Sequence, residues 1–361
     1  MKKFQFLVYS TLFFLLGCTR DNSIDNTPVT YTTQQSQQFI TDFSMNTVNC
    51  IRNVRDGNAA QAFIDFLNLS NGNVQNESWI DSLTNALDPV IGNIQIDPNI
   101  NRFLFNNYTG IYTYNSFTKT FSRAPSNGIH ILFPSSPSRT NNNVSIDLNN
   151  YVDASYLANA ETVWLPTSVN GKITKDGTDL VTLNYSANYA SGNFPAPIDV
   201  TLNLLVAPFS YNVHIERLSN VQFKLTSGLI TGNSCDLNIT STVTFRNDDF
   251  NNLNIEEDLG FVEATFQKGD FNINATWDAR TYFALNSTSD QAINSTFNAS
   301  VYNNNSRLGD LKFKDIGTDT YLYIYYPDGT NENTSRFYDP SLVDIKNVFR
   351  PYFGNDVDSW F

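Results

Sequence analysis

Histidine is almost missing from this chain: His130 and His214 are the two it has among 361 residues. A zinc site ordinarily takes three suitable protein ligands or more, so there is little here to build one from. His214 and Glu216, two apart on an alternating segment, could supply half a site; His130 lies between Ile129 and Ile131 with no such neighbour. The expectation is no metal and no cofactor. Catalytic signatures are missing too: there is no His-Glu-x-x-His, Gly-x-Ser-x-Gly, Walker or dinucleotide fingerprint. Basic residues are scarce, 22 Lys and Arg against 35 Asp and Glu. A net charge of −13 with no basic cluster repels phosphate backbones, which excludes nucleic acid as a partner. Beyond residue 16 no apolar run approaches the roughly 20 residues a membrane-spanning helix needs. Low-complexity disorder is excluded as well. Asparagine is abundant, but it alternates with apolar residues in a chain that is 41% hydrophobic and 14% aromatic.

What is present begins at the N-terminus. Lys2 and Lys3 precede an apolar run from Phe4 to Leu16, which ends in Leu15-Leu16-Gly17-Cys18. This resembles a bacterial lipoprotein signal: a charged start, a short apolar region, and a lipobox whose cysteine is acylated. The resemblance implies removal of residues 1–17 and lipidation of Cys18, palmitate included. The protein would then be held to the outer membrane by its lipid. Residues 18–32 are polar, contain Pro28 and read as a tether. Arg20 and Asp21 make a weak version of an acidic surface-export signal, so the membrane face stays open between periplasm and cell surface. Two further cysteines, Cys50 and Cys235, are an even pair in a compartment that permits disulfides. A bridge and two separately buried thiols both remain open, because sequence does not supply the Cα spacing.

Along the chain the hydrophobic period changes once. From Gln34 to Asp56, Phe39, Ile40, Phe43, Val48 and Ile51 recur at helical intervals. A second helical segment carries Phe63, Phe66, Leu67 and Leu69, and a third, from Glu77 to Leu87, carries Trp79, Ile80, Leu83 and Leu87. From Phe103 to about residue 330 a two-residue alternation takes over. Val181, Leu183, Tyr185, Ala187 and Tyr189 oppose Thr182, Asn184, Ser186 and Asn188; Phe271, Ile273 and Trp277 oppose Asn272, Asn274 and Thr276. A strand is read from Ile293 through Phe297 to Val301. Asp176-Gly177, Lys268-Gly269-Asp270, Asp328-Gly329 and Asn170-Gly171 carry hairpin chemistry.

The pattern predicts an α+β fold. A long antiparallel meander, curled into a half-barrel in one version, carries an N-terminal helical layer on its apolar face. Residues 33–361 are expected to form a single domain: 33–90 helical, 103–330 β-rich, and 331–361 a C-terminal segment, irregular from Pro340 to Phe361 and folded over a sheet edge. If the sheet is concave, Val181, Leu183, Tyr185, Ile239, Phe271, Ile273, Trp277 and Phe297 would line an apolar pocket for a lipid or another hydrophobic ligand.

Gly110-Ile111-Tyr112-Thr113-Tyr114, Thr118 to Ser122, and Gly128 to Pro134 form a Gly-x-Tyr-x-Tyr strand, a turn, and an apolar strand ending in Phe-Pro. With Leu183 to Tyr189 and Ala207-Pro208-Phe209, these words are similar to uncharacterised β-rich outer-membrane lipoproteins of the Bacteroidota. The resemblance implies an envelope address and a β-rich fold. It implies no activity and carries over no catalytic residue. The reading that follows is a non-enzymatic envelope lipoprotein, structural or ligand-binding. Its alternatives are a hydrophobic-ligand carrier, a surface glycan-binding or adhesive module, and, last, an unrecognised hydrolase.

Overall fold

The computed structural model describes residues 30–56, 79–92, 94–97, 102–158, 160–192, 194–206, 209–230 and 235–353. The leader, Cys18, most of the tether, the segment with Phe63 and Phe66, and residues 354–361 lie outside them. The described chain is mostly a large mixed sheet of sixteen strands with a few helices. Two compact units make up the chain. One is contiguous, residues 56–216, and the other joins residues up to 55 with those from 217 onward.

In chain order, α1 (Thr33–Asp56) belongs to the two-segment unit. The contiguous unit follows with α2 (Trp79–Ile91), β1 (Ile96–Asp97), β2 (Arg102–Phe103), β3 (Gly110–Asn115), β4 (Thr120–Ala124) and β5 (Ile129–Phe133). It continues with β6 (Val144–Ala158), β7 (Glu161–Lys175), β8 (Thr178–Tyr189), β9 (Pro197–Val206) and β10 (Phe209–Arg217). The chain then returns to the two-segment unit with β11 (Gln222–Ile230), β12 (Leu237–Phe245), α3 (Ile255–Asp258), β13 (Leu259–Lys268) and β14 (Phe271–Trp277). The last elements are α4 (Ala279–Ala284), α5 (Asp290–Thr296), β15 (Phe297–Asn303), β16 (Ser306–Ile316), β17 (Asp319–Tyr325), β18 (Asn331–Asn333) and α6 (Ser335–Phe353).

Four sequence expectations need correction. The sheet is not wholly antiparallel: β3 pairs antiparallel with β4 but parallel with β5, because the chain crosses back after β4 to reach the free edge of β3. Asn170-Gly171 is no turn but lies inside the fifteen-residue strand β7, where Asn170 faces Asn150 of β6 and Asn184 of β8, and β6 takes up the irregularity between Leu148 and Asn150. The strand read from Ile293 starts at Phe297; the residues before it form α5, capped by the Ser289 hydroxyl accepting from the Ala292 N–H. The C-terminal segment is not irregular over its described residues, up to 353. It is the short edge strand β18 followed by the helix α6, which tolerates Pro340 and buries Phe337, Ser341 and Ile345 at four-residue intervals.

The helix α1 starts where its sequence says it should. Thr32 Oγ1 accepts from the Gln35 N–H at 3.2 Å and Gln35 Oε1 accepts from the Thr32 N–H at 2.9 Å, a reciprocal capping box. Its buried side is Ser36, Ile40, Thr47, Val48 and Cys50. Phe43 on that side stacks on Phe271 of β14 at 3.8 Å and meets Phe266 of β13 edge-on. Ile40, Phe266, Phe271, Ile273, Leu308, Ile324 and Phe337 share one core in this unit. Each fully buried side chain of this size contributes about 1.5–3 kcal/mol.

In the contiguous unit, α2 lies on β3, β4 and β5. Leu83 joins Tyr112, Tyr114, Phe121, Phe133 and Val144 in the core. The Trp79 indole N–H donates to the Pro134 carbonyl at 3.0 Å while its ring stands edge-on to Tyr114. Hairpin chemistry holds at Asp176-Gly177, both at positive φ between β7 and β8, at Gly269 between β13 and β14, and at Gly329 before β18.

Candidate functional site

Strand alternation sorts β8, β9 and β10 into two unlike faces. On one, cross-strand partners are apolar: Val181 with Val206, Leu183 with Leu204, Tyr185 with Leu202, then Tyr211 with Leu204, Val213 with Leu202 and Ile215 with Val200. Beside β3 to β6 the sheet is buried under α2, yet every member of this row is half-buried or exposed, Tyr211 reaching 41%. At one end of the row the Tyr185 and Tyr189 hydroxyls are hydrogen-bonded at 2.6 Å, and Tyr156 stands edge-on to Tyr189. Burial first, and then the bond to Tyr185, push the Tyr189 phenol well above its ordinary range.

The opposite face carries asparagine. Asn150, Asn170, Asn184, Asn203 and Asn212 lie directly opposite one another across β6 to β10. The Asn170 amide donates to Asn184 Oδ1 at 2.8 Å, and the Asn150 amide donates to Ser168 Oγ at 2.8 Å and to Asn170 Oδ1 at 3.3 Å.

The predicted pocket residues fall in both units. Val181, Leu183 and Tyr185 belong to the half-exposed row of the contiguous unit. In the other unit Phe271 and Ile273 are buried, and Ile239 and Phe297 pack partly buried against the same core as Ile40, Phe39 and Phe43 of α1. Trp277 sits in a separate cluster with Leu259, Ala279, Tyr282 and Phe283.

Each histidine faces a carboxylate. His130 Nδ1 lies 2.7 Å from Asp147 Oδ1 across β5 and β6, and His214 Nε2 lies 2.9 Å from Asp199 Oδ2 across β10 and β9. His214 therefore pairs across the strands with Asp199, which the spacing to Glu216 did not suggest. Among the described residues no group of three His, Cys, Asp or Glu side chains could hold a metal ion. The acidic run Glu256-Glu257-Asp258 forms α3, capped by the Asn254 side chain. Asp328 closes a turn by accepting from the Thr330 N–H and hydroxyl, and its other oxygen accepts from Thr33 at the start of α1.

Cys50 and Cys235 are joined by a disulfide with a Cα–Cα distance of 6.0 Å, tying α1 to the start of β12. Beside it lies a residue the sequence reading absorbed into a turn. Lys268 is 3% exposed; its Nζ lies 4.0 Å from Cys50 Sγ and 5.9 Å from the Phe43 ring centroid. Burial pulls its ammonium down to about 7, against the opposing field of Asp236. The signal was present in the alternation Val262, Ala264, Phe266, Lys268, which places the lysine on the apolar side of β13.

The chain matches no protein-family model, and neither the curated proteins nor the solved structures give a match.

Proposed function

We propose that the protein is a non-enzymatic cell-envelope lipoprotein, held to the outer membrane through Cys18, whose apolar row on β8, β9 and β10 takes a hydrophobic ligand. The observation that carries the ligand reading is the half-exposed row itself. Val181, Leu183, Leu202, Leu204, Val213 and Ile215 form a continuous apolar surface that the described residues do not bury. A contiguous apolar surface left half-buried in this way is a candidate for contact with lipid, ligand or protein. The Tyr185–Tyr189 hydroxyl pair offers a polar anchor at its end, as lipid sites commonly have. The lipobox and the charged start support the anchoring, and no helix among the described residues is long and apolar enough to cross a membrane.

Two measurements test this reading. Cys18→Ser should move the protein from the membrane to the soluble fraction; a variant that stays with membranes overturns the anchoring. The soluble variant should bind a fluorescent fatty acid, and Leu204→Asp should weaken that binding by about tenfold or more, since it sets an unpaired charge in the row. No probe binding and no copurifying lipid in native mass spectra would overturn the ligand reading.

The asparagine row favours a second reading, surface glycan binding or adhesion. Glycan capture lost in an Asn184→Ala, Asn203→Ala double variant, with fatty-acid binding intact, would select it.

A further inference from the structure

Three elements meet around the Lys268 amine: the end of β13, which supplies it; α1, which supplies Phe43 and Cys50; and the start of β12, which supplies Cys235 and Asp236. A buried ammonium needs a strong acceptor, and a disulfide sulfur is a weak one. Reduction changes that. A Cys50 thiolate 4.0 Å away would add an anion directly at the amine, where the field of Asp236 alone does not offset burial. The two sulfurs also differ in access, since Cys50 is 7% exposed and Cys235 is half-buried.

We propose that Cys50–Cys235 is a thiol-exchange site, a clasp between α1 and β12 that a dithiol reductant opens, with Lys268 holding the released Cys50 sulfur as a thiolate. In the first step a reductant thiolate attacks Cys235 Sγ. A new sulfur–sulfur bond forms there, the Cys50–Cys235 bond breaks, and its electron pair leaves on Cys50 Sγ beside Lys268. The second reductant thiol then attacks the mixed disulfide and expels Cys235. The dithiol is oxidised to its own disulfide and the protein pair gains two electrons. Starting from the neutral amine, one of the dithiol's two protons ends on Cys235 and the other on the Cys50–Lys268 pair, held as thiolate and ammonium. A stabilised thiolate leaves faster and favours the reduced state. Lys268 is therefore a positioning and charge-compensating residue, and Cys50 and Cys235 are the reacting ones.

The test reduces the folded, oxidised full chain with dithiothreitol at neutral pH and follows free thiols, comparing native protein, Lys268→Met and Lys268→Arg. Lys268→Met should slow reduction on the order of tenfold and shift the equilibrium toward the disulfide by about tenfold, which is about 30 mV for a two-electron couple. Lys268→Arg keeps the charge and should stay within about threefold of native. Equal rates and equilibria in native and Lys268→Met overturn the proposal, as does a native disulfide that resists reduction until the protein unfolds. Should Lys268→Met fail to fold, alkylation of Cys50 against pH in reduced native protein decides. Half-maximal rate well below the ordinary thiol value of about 8.5 supports a lysine-held thiolate, and a value at or above it overturns one.

Discussion

Replacing Lys268 by methionine in the oxidised protein should stabilise it, by an amount that depends on pH. In the unfolded chain the lysine holds its proton up to its ordinary 10.5, while in the fold burial brings release down to about 7. Between those values the unfolded state binds more protons than the folded one, so native stability rises with pH by about 1.4 kcal/mol per unit. Below pH 7 both states carry the ammonium and the fold bears the whole cost of burying it; above 10.5 both are neutral and that cost is gone. The gap corresponds to about 5 kcal/mol over the window, and the amine is too buried for solvent to screen much of it. Methionine fits a similar unbranched volume and does not titrate. Urea unfolding of both proteins from pH 6 to 10.5 should show the variant ahead by several kcal/mol at pH 6. Its lead should hold to about pH 7, then shrink with rising pH and level off near pH 10.5. Other titrating groups cancel in the difference. A lead that stays constant across the window would refute the buried-ammonium account, and with it the premise that burial of Lys268 outweighs the field of Asp236.

Two further perturbations probe the sheet. Arg102 grips Asp153 through Nε at 2.8 Å and Nη2 at 2.6 Å while lying 3.7 Å over the Trp164 ring, and the Asp153 side chain is only 4% exposed. Arg102→Met strands that carboxylate and should lower the urea midpoint; an unchanged midpoint would mean the carboxylate finds water instead. Gly309 on β16 leaves no room for a Cβ, which would lie 2.8 Å from both the Tyr325 carbonyl oxygen and Ile324 Cγ1. Gly309→Ala should lower the melting temperature by the equivalent of about 1–3 kcal/mol, and an unchanged melting temperature would show that the backbone there yields freely.

Strands were legible because their period is two and their partners are neighbours in sequence. Thr178–Tyr189 and Phe271–Trp277 follow the alternation read from Val181 to Tyr189 and from Phe271 to Trp277. Local signals failed where long-range pairing outweighed them. Asn170-Gly171 has turn chemistry, but turning there would forfeit the β7 ladder with both β6 and β8. The stretch from Pro340 reads as irregular, whereas Phe337, Ser341 and Ile345 bury one stripe of α6 against contacts from Ser44 of α1, about 300 residues away in sequence. Lys268 was hidden by chemistry that fits two places at once. Lys-Gly-Asp reads as an exposed turn, and only the even spacing from Phe266 says that the lysine points inward. The disulfide partners could be named from the sequence, but that a buried amine stands beside them could not.

The asparagine surplus acquires a physical role once the register is known. Abundance alone does not account for five asparagines standing opposite one another across β6 to β10. A slip of one residue between β8 and β9 would set Asn184 against Leu202 or Leu204 and turn the whole apolar row of one strand toward the polar face. In the observed register Asn170 both accepts from Asn150 and donates to Asn184, so its carboxamide is satisfied along the row. Leucines held only half-buried give such strands a weaker grip on register than a covered core would. The asparagine bonds on the other face add to that grip across β6, β7 and β8, since a slip there would break the Asn150–Asn170 and Asn170–Asn184 pairs.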